Sequence, residues 1–125
     1  MVMVKLKEDI VDNAHPTWPR YRLRASTVGN PDFRQDPTKP LYGAKDLNTC
    51  VTAATAPRVL GEWISRYDIG GGNLSDAILY DLETGDEVGR MSYNGRVWPA
   101  NSKWTSGQKS LEVTPDGTYM DPNKL

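Results

Sequence analysis

The sequence predicts a small α+β domain: an antiparallel sheet of about five strands packed by one amphipathic helix, in the order β-β-α-β-β-β. Three observations carry this. Basic and apolar residues alternate over 20–27, apolar residues recur at helical spacing over 59–67, and two glycine turns fold residues 77–98 into a meander. At 125 residues the chain has the size of one domain. Its composition divides it into an N-terminal arm (1–19), a core domain (20–99) and a C-terminal tail (100–125).

The arm mixes charge with Pro16 and Pro19. In the run that follows, Tyr21, Leu23 and Ala25 face one way and Arg20, Arg22 and Arg24 the other, the period of a half-buried strand. Residues 28–46 carry Pro31, Pro37, Pro40 and Gly43, and so form a long connection, which is either functional or irregular. Residues 47–53 make a second strand, in which Cys50 is expected to be a buried small apolar residue.

The helix follows. Thr55 is a suitable N-cap and Pro57 falls in the first turn, where a missing N–H costs nothing. Val59, Leu60, Trp63, Ile64 and Tyr67 form one apolar stripe. Arg58–Glu62 and Glu62–Arg66 are spaced as i,i+4 pairs on the outer face, and Gly70 supplies a left-handed stop.

Three strands complete the sheet: one at 77–80, one at 87–93 and one starting at 96–98. Asp81-Leu-Glu-Thr-Gly-Asp86 turns the first into the second, and Asn94-Gly95 joins the second to the third as a type I′ hairpin turn. Pro99 ends regular pairing. The tail carries Trp104, a Pro115-Asp116-Gly117 turn and one weak strand around 110–113. The expected core is Leu23, Val51, Val59, Leu60, Trp63, Ile64, one of Ile78 and Leu79, and Val97.

Fifteen basic and sixteen acidic residues give a net charge of −1, which disfavours both bulk nucleic-acid binding and an acidic mimic of nucleic acid. A single cysteine forbids an internal disulfide and suits a reducing compartment. No apolar run approaches the ~18 residues of a membrane span, and the first residues lack a signal-peptide pattern, so the expected location is cytoplasmic.

Catalytic motifs are missing from the pattern. One His and one Cys are too few for a zinc site, and His15 lies in a proline-rich stretch without a nucleophile elbow nearby. Asp81, Glu83, Asp86 and Glu87 lack the order of a calcium loop. Gly70-Gly71-Gly72-Asn73 follows a helix C-terminus, where the dipole disfavours phosphate; it reads as a helix stop and crossing, or as a nest of N–H groups for a ligand. Along 88–93, Arg90 and Ser92 share one face and Gly89, Met91 and Tyr93 the other; the interior Gly89 marks a bulge or a close backbone approach. Arginine with tryptophan and tyrosine is the mixture enriched at binding hot spots. The candidate partner-binding residues are therefore Arg22, Arg24, Gly71, Gly72, Asn73, Arg90, Tyr93, Asn94, Arg96 and Trp98.

Gly70-Gly71-Gly72-Asn73 followed by Ser92-Tyr-Asn-Gly-Arg-Val-Trp98 resembles small uncharacterised proteins of phages and mobile elements. Tyr21-Arg-Leu23 and Gly29-Asn-Pro-Asp32 are similar too, so the resemblance spans residues 20–99. It implies a genomic setting in which small proteins often block or titrate a host defence component. The expected function is non-enzymatic binding with no cofactor, either of a host defence protein or of a small nucleotide-like signal molecule. The alternative is a nucleic-acid-binding accessory factor using Arg20, Arg22, Arg24, Arg90 and Arg96. No membrane partner is expected, and a homo-oligomer is compatible with the sequence.

Overall fold

The computed structural model describes residues 19–100 and 105–124. The rest of the predicted arm, His15 and Trp104 lie outside the described residues. The elements are β1 (Tyr21–Thr27), β2 (Leu47–Val51), α1 (Ala56–Arg66), β3 (Leu74–Asp81), β4 (Glu87–Met91), β5 (Val97–Pro99), β6 (Glu112–Val113) and β7 (Tyr119–Met120). β1 to β5 form one antiparallel sheet in the order β2-β1-β3-β4-β5; β6 and β7 pair separately. This is the predicted α+β architecture, five strands and one packing helix in the predicted succession.

The period-two pattern of β1 sorts its side chains as expected: Tyr21, Leu23, Ala25 and Thr27 are buried, Arg24 exposed. Leu23 pairs with Thr49 on β2 and Leu79 on β3, and Leu79 with Gly89 on β4. This inner row meets the buried helix residues Ala56, Leu60 and Trp63. Six of the expected core residues are buried, with Leu79 and not Ile78 taking the disputed place; Val59 and Ile64 are partly buried against the cluster. Cys50, expected inside, is exposed. With Val51 inward on a strand, its neighbour must point outward.

The helix ends differ in detail from the sequence reading. Thr55 makes no side-chain cap; its hydroxyl turns back to accept the Thr52 N–H (3.1 Å), while the Thr55 N–H donates to the Thr52 hydroxyl (3.0 Å). At the other end Gly70 is extended, and the left-handed residue is Asp68 at φ 52°. The Ile69 N–H donates to the Ile64 carbonyl and the Asp68 N–H to that of Ser65, a Schellman closure two residues earlier than expected. Arg58 pairs with Glu62 at 3.0 Å, but Arg66 sits over the Tyr67 ring instead of pairing with Glu62.

The Asn94-Gly95 turn also departs from type I′, because only Gly95 has positive φ (89°). The Gly95 N–H donates to the Ser92 carbonyl and the Ser92 N–H to that of Arg96. This is the turn-plus-bulge form of hairpin, which places a single left-handed residue after the turn. A Cβ at Gly95 would in addition sit 3.2 Å from Pro57 on the helix. Gly95→Val is therefore expected to cost more than ~1 kcal/mol, well clear of the ~0.5 kcal/mol typical of surface changes. An unchanged melting temperature in that variant would contradict this turn geometry.

The C-terminal segment makes more structure than the single weak strand expected of it. The Leu111 N–H donates to the Val97 carbonyl, and Pro115-Asp116-Gly117 turns β6 into β7. Tyr119 packs its ring 5.0 Å from that of Tyr21, donates its backbone N–H to the Tyr21 hydroxyl and donates its own hydroxyl to the Ala53 carbonyl. Burial pushes both phenols above their ordinary pKa. Tyr119 and Leu111 thus cover the same side of the sheet as α1. No helix among the described residues is long and apolar enough to cross a membrane.

Candidate functional site

With α1 and the C-terminal hairpin on one side, the other side of the five-stranded sheet has no covering element among the described residues. Its composition follows from register. Asn48 on β2 pairs with Arg24, Arg24 with Ile78, Ile78 with Arg90, and Arg90 with Trp98. One transverse row therefore crosses all five strands, with neighbours ~4.8 Å apart. A second row holds Cys50, Arg22, Tyr80 and Glu87. Four of the predicted site residues, Arg22, Arg24, Arg90 and Trp98, share this face although they lie up to 76 positions apart in sequence.

Each arginine is held differently. Arg22 donates to the side-chain oxygen of Asn48 at 2.8 Å, and Arg90 pairs with Glu87 at 3.0 Å. That carboxylate raises the Arg90 pKa further, keeping its charge fixed. The guanidinium of Arg24 makes no hydrogen bond or ion pair among the described residues, so its donors face solvent. Arg20, at the strand end, departs from the row: its Nε is buried without a hydrogen-bond partner among the described residues. Two shallow hollows flank the ridge made by Arg24 and Tyr80. One, of about 340 Å³, is lined also by Ser26, Asp46, Asn48, Asp76 and Ile78; the other, of about 410 Å³, by Arg22, Asp81 and Gly85.

The hairpin tip is mostly occupied with its own fold. The Tyr93 hydroxyl donates to the Ile69 carbonyl at 2.7 Å, which ties the tip to the loop after α1. Asn94 accepts from the Arg96 N–H (3.1 Å) and from the Ser92 hydroxyl, and Trp98 Nε1 points at that hydroxyl from 3.4 Å. Arg96 is exposed beside the turn.

Gly71, Gly72 and Asn73 lie elsewhere, in a 3₁₀ turn entering β3. Asn73 is buried, and its amide is spent on internal partners: it donates to the Val28 carbonyl (3.0 Å) and Gln35 Oε1 (2.8 Å) and accepts from the Gly70 N–H (3.3 Å). A Cβ on Gly72 would stand 2.3 Å from the Asn30 side chain. The glycine run thus clasps the 28–46 connection to the sheet. That connection is further fixed by Gly29, whose Cβ would fall 2.2 Å from the Asp36 carbonyl oxygen. It presents Phe33 and Tyr42 outward, 72% and 100% exposed.

The carboxylates around 81–87 have structural partners. Asp81 accepts the Glu83 and Thr84 N–H groups of its own turn, and Glu87 holds Arg90. Asn48, Ile78 and Tyr80 belong to the open face but were not among the sequence candidates. Alternation through 76–80 was the signal that could have found the last two; Asn48 needs the β1–β2 register. Comparison with known proteins finds no matching family model, no matching curated protein and no matching solved structure.

Proposed function

We propose that the protein is a non-enzymatic binding module whose open sheet face takes an anionic partner. The observation that carries this is the row Asn48–Arg24–Ile78–Arg90–Trp98, left uncovered among the described residues, whose helix and C-terminal hairpin pack on the opposite face. Arginines with fixed charge offer forked donors to carboxylate or phosphate, and Trp98 and Tyr80 offer flat apolar surface beside them. The phage-type resemblance of the glycine and hairpin motifs gives the role: an accessory protein acting in the host cytoplasm, blocking a defence protein or sequestering its nucleotide-like signal.

Native mass spectrometry of the protein purified from a host lysate tests this reading. A retained protein or small anionic ligand is expected, and it should be lost on Arg24→Ala or Arg90→Ala with thermal stability nearly intact. Retention unchanged in both variants would contradict the assignment of the face.

A second reading has its own support. Aromatic and basic side chains side by side on an antiparallel sheet suit single-stranded nucleic acid, whose bases stack while its phosphates meet arginine. It forecasts affinity that falls steeply with salt, several arginines each contributing to the slope. A gel shift at two salt concentrations separates the readings; with a net charge of −1, no retention is expected at physiological salt.

A further inference from the structure

The two edges of the sheet are finished differently. β5 is three residues long, ends on Pro99, and has its Val97 carbonyl taken by the Leu111 N–H. Short length, proline and a covering segment are the usual protections of a sheet edge. β2, at the other edge, is five residues of Leu-Asn-Thr-Cys-Val, without charge or proline.

The direction of its backbone groups follows from the neighbouring ladder. The Val28 N–H donates to the Asn73 carbonyl and the Leu82 N–H to that of Arg20, so the even-numbered residues within β1 turn toward β3, while just before the strand the Arg20 N–H reaches the Val51 carbonyl of β2. Odd-numbered residues of β1 then bond to β2 through Leu47, Thr49 and Val51, their register partners. Asn48 and Cys50 are left with N–H and C=O aimed at the free edge. Among the described residues nothing bonds to them there.

Alongside this edge, between β2 and α1, runs a groove of about 540 Å³. Its floor is Leu47, Thr49, Val59, Trp63 and Tyr67. Its rim carries two cations, Lys45 and Arg66, and two anions, Asp46 and Glu62. A strongly acidic or basic partner gains nothing from so balanced a rim. A copy of the same surface, brought up about a twofold axis, meets it with the same balance.

We infer that the β2 edge is a self-association site, at which a second copy of this chain adds its own β2 antiparallel. With the axis at Thr49, Asn48 of each copy exchanges backbone hydrogen bonds with Cys50 of the other. The inward residues Leu47 and Thr49 of each copy enter the other's groove, and the two open faces join into one ten-stranded surface. This does not depend on what that surface binds.

Sedimentation equilibrium across a range of protein concentrations tests the inference. The expected mass is twice that of the 13.9 kDa chain. Asn48→Pro removes an outward donor that no intrachain bond uses, and Thr49→Lys sets like charges against each other across the axis. Both should be monomeric, with circular-dichroism melts close to that of the parent protein. Thr49→Cys in a Cys50→Ser background should oxidise to a covalent dimer. A monomeric parent protein at every concentration would overturn the inference. So would a dimer indifferent to both edge variants, or an edge that takes only a synthetic peptide of unrelated sequence.

Discussion

Replacing Trp63 with alanine is expected to destabilise the protein by about 3–5 kcal/mol, the range for losing a large buried aromatic side chain. Trp63 is 6% exposed at the centre of the helix face that meets the sheet. Its indole N–H donates to the Lys45 carbonyl at 2.8 Å, so the residue also fixes where the 28–46 connection enters β2. Truncation leaves a void under the sheet and a carbonyl short of its donor. Urea unfolding measures the loss, and a value under about 1 kcal/mol would mean that the helix is packed by another face.

The second large effect belongs to Gly89. A Cβ there would stand 2.7 Å from the Trp98 carbonyl oxygen, 2.8 Å from Val97 Cγ1 and 3.2 Å from Leu111 Cδ1. The first is backbone and cannot rotate away. Gly89→Val is expected to cost toward the upper end of the ~1–3 kcal/mol of overpacked cores, by forcing β5 from β4. Because Arg90 and Trp98 pair across those two strands, binding should weaken along with stability. A variant melting at the parent temperature would contradict the close approach.

Local pattern carried much of this fold. Alternation at 21–25 and the 59–67 stripe depend on nearest neighbours along one element, and both sort their side chains as the sequence predicts. Gly89 in a strand was legible as a close approach for the same reason. What the sequence concealed depends on partners distant along the chain or on subtle local choices. Asp68 takes the left-handed position two residues before a run of glycines that would accept it more easily. The Asn73 clasp onto Val28 and Gln35 joins residues 45 and 38 positions apart, so the local pattern of the glycine run fits a helix stop and crossing or a ligand nest equally and does not show the clasp. Cys50 was misplaced by residue type, although alternation with Val51 already put it outside. The open face itself is a product of register: Arg24, Arg90 and Trp98 become neighbours only once β3 is placed between β1 and β4.

The account rests on that face being where a partner lands. The most direct measurement is an amide NMR titration of the isotopically labelled protein with adenosine triphosphate, a probe with phosphates for arginine and a base for the aromatic side chains. Shift changes should gather on Arg22, Arg24, Ile78, Tyr80, Arg90 and Trp98, and should shrink in Arg24→Ala. Changes confined to α1 or to residues 28–46, or no change up to millimolar probe, would contradict the claim.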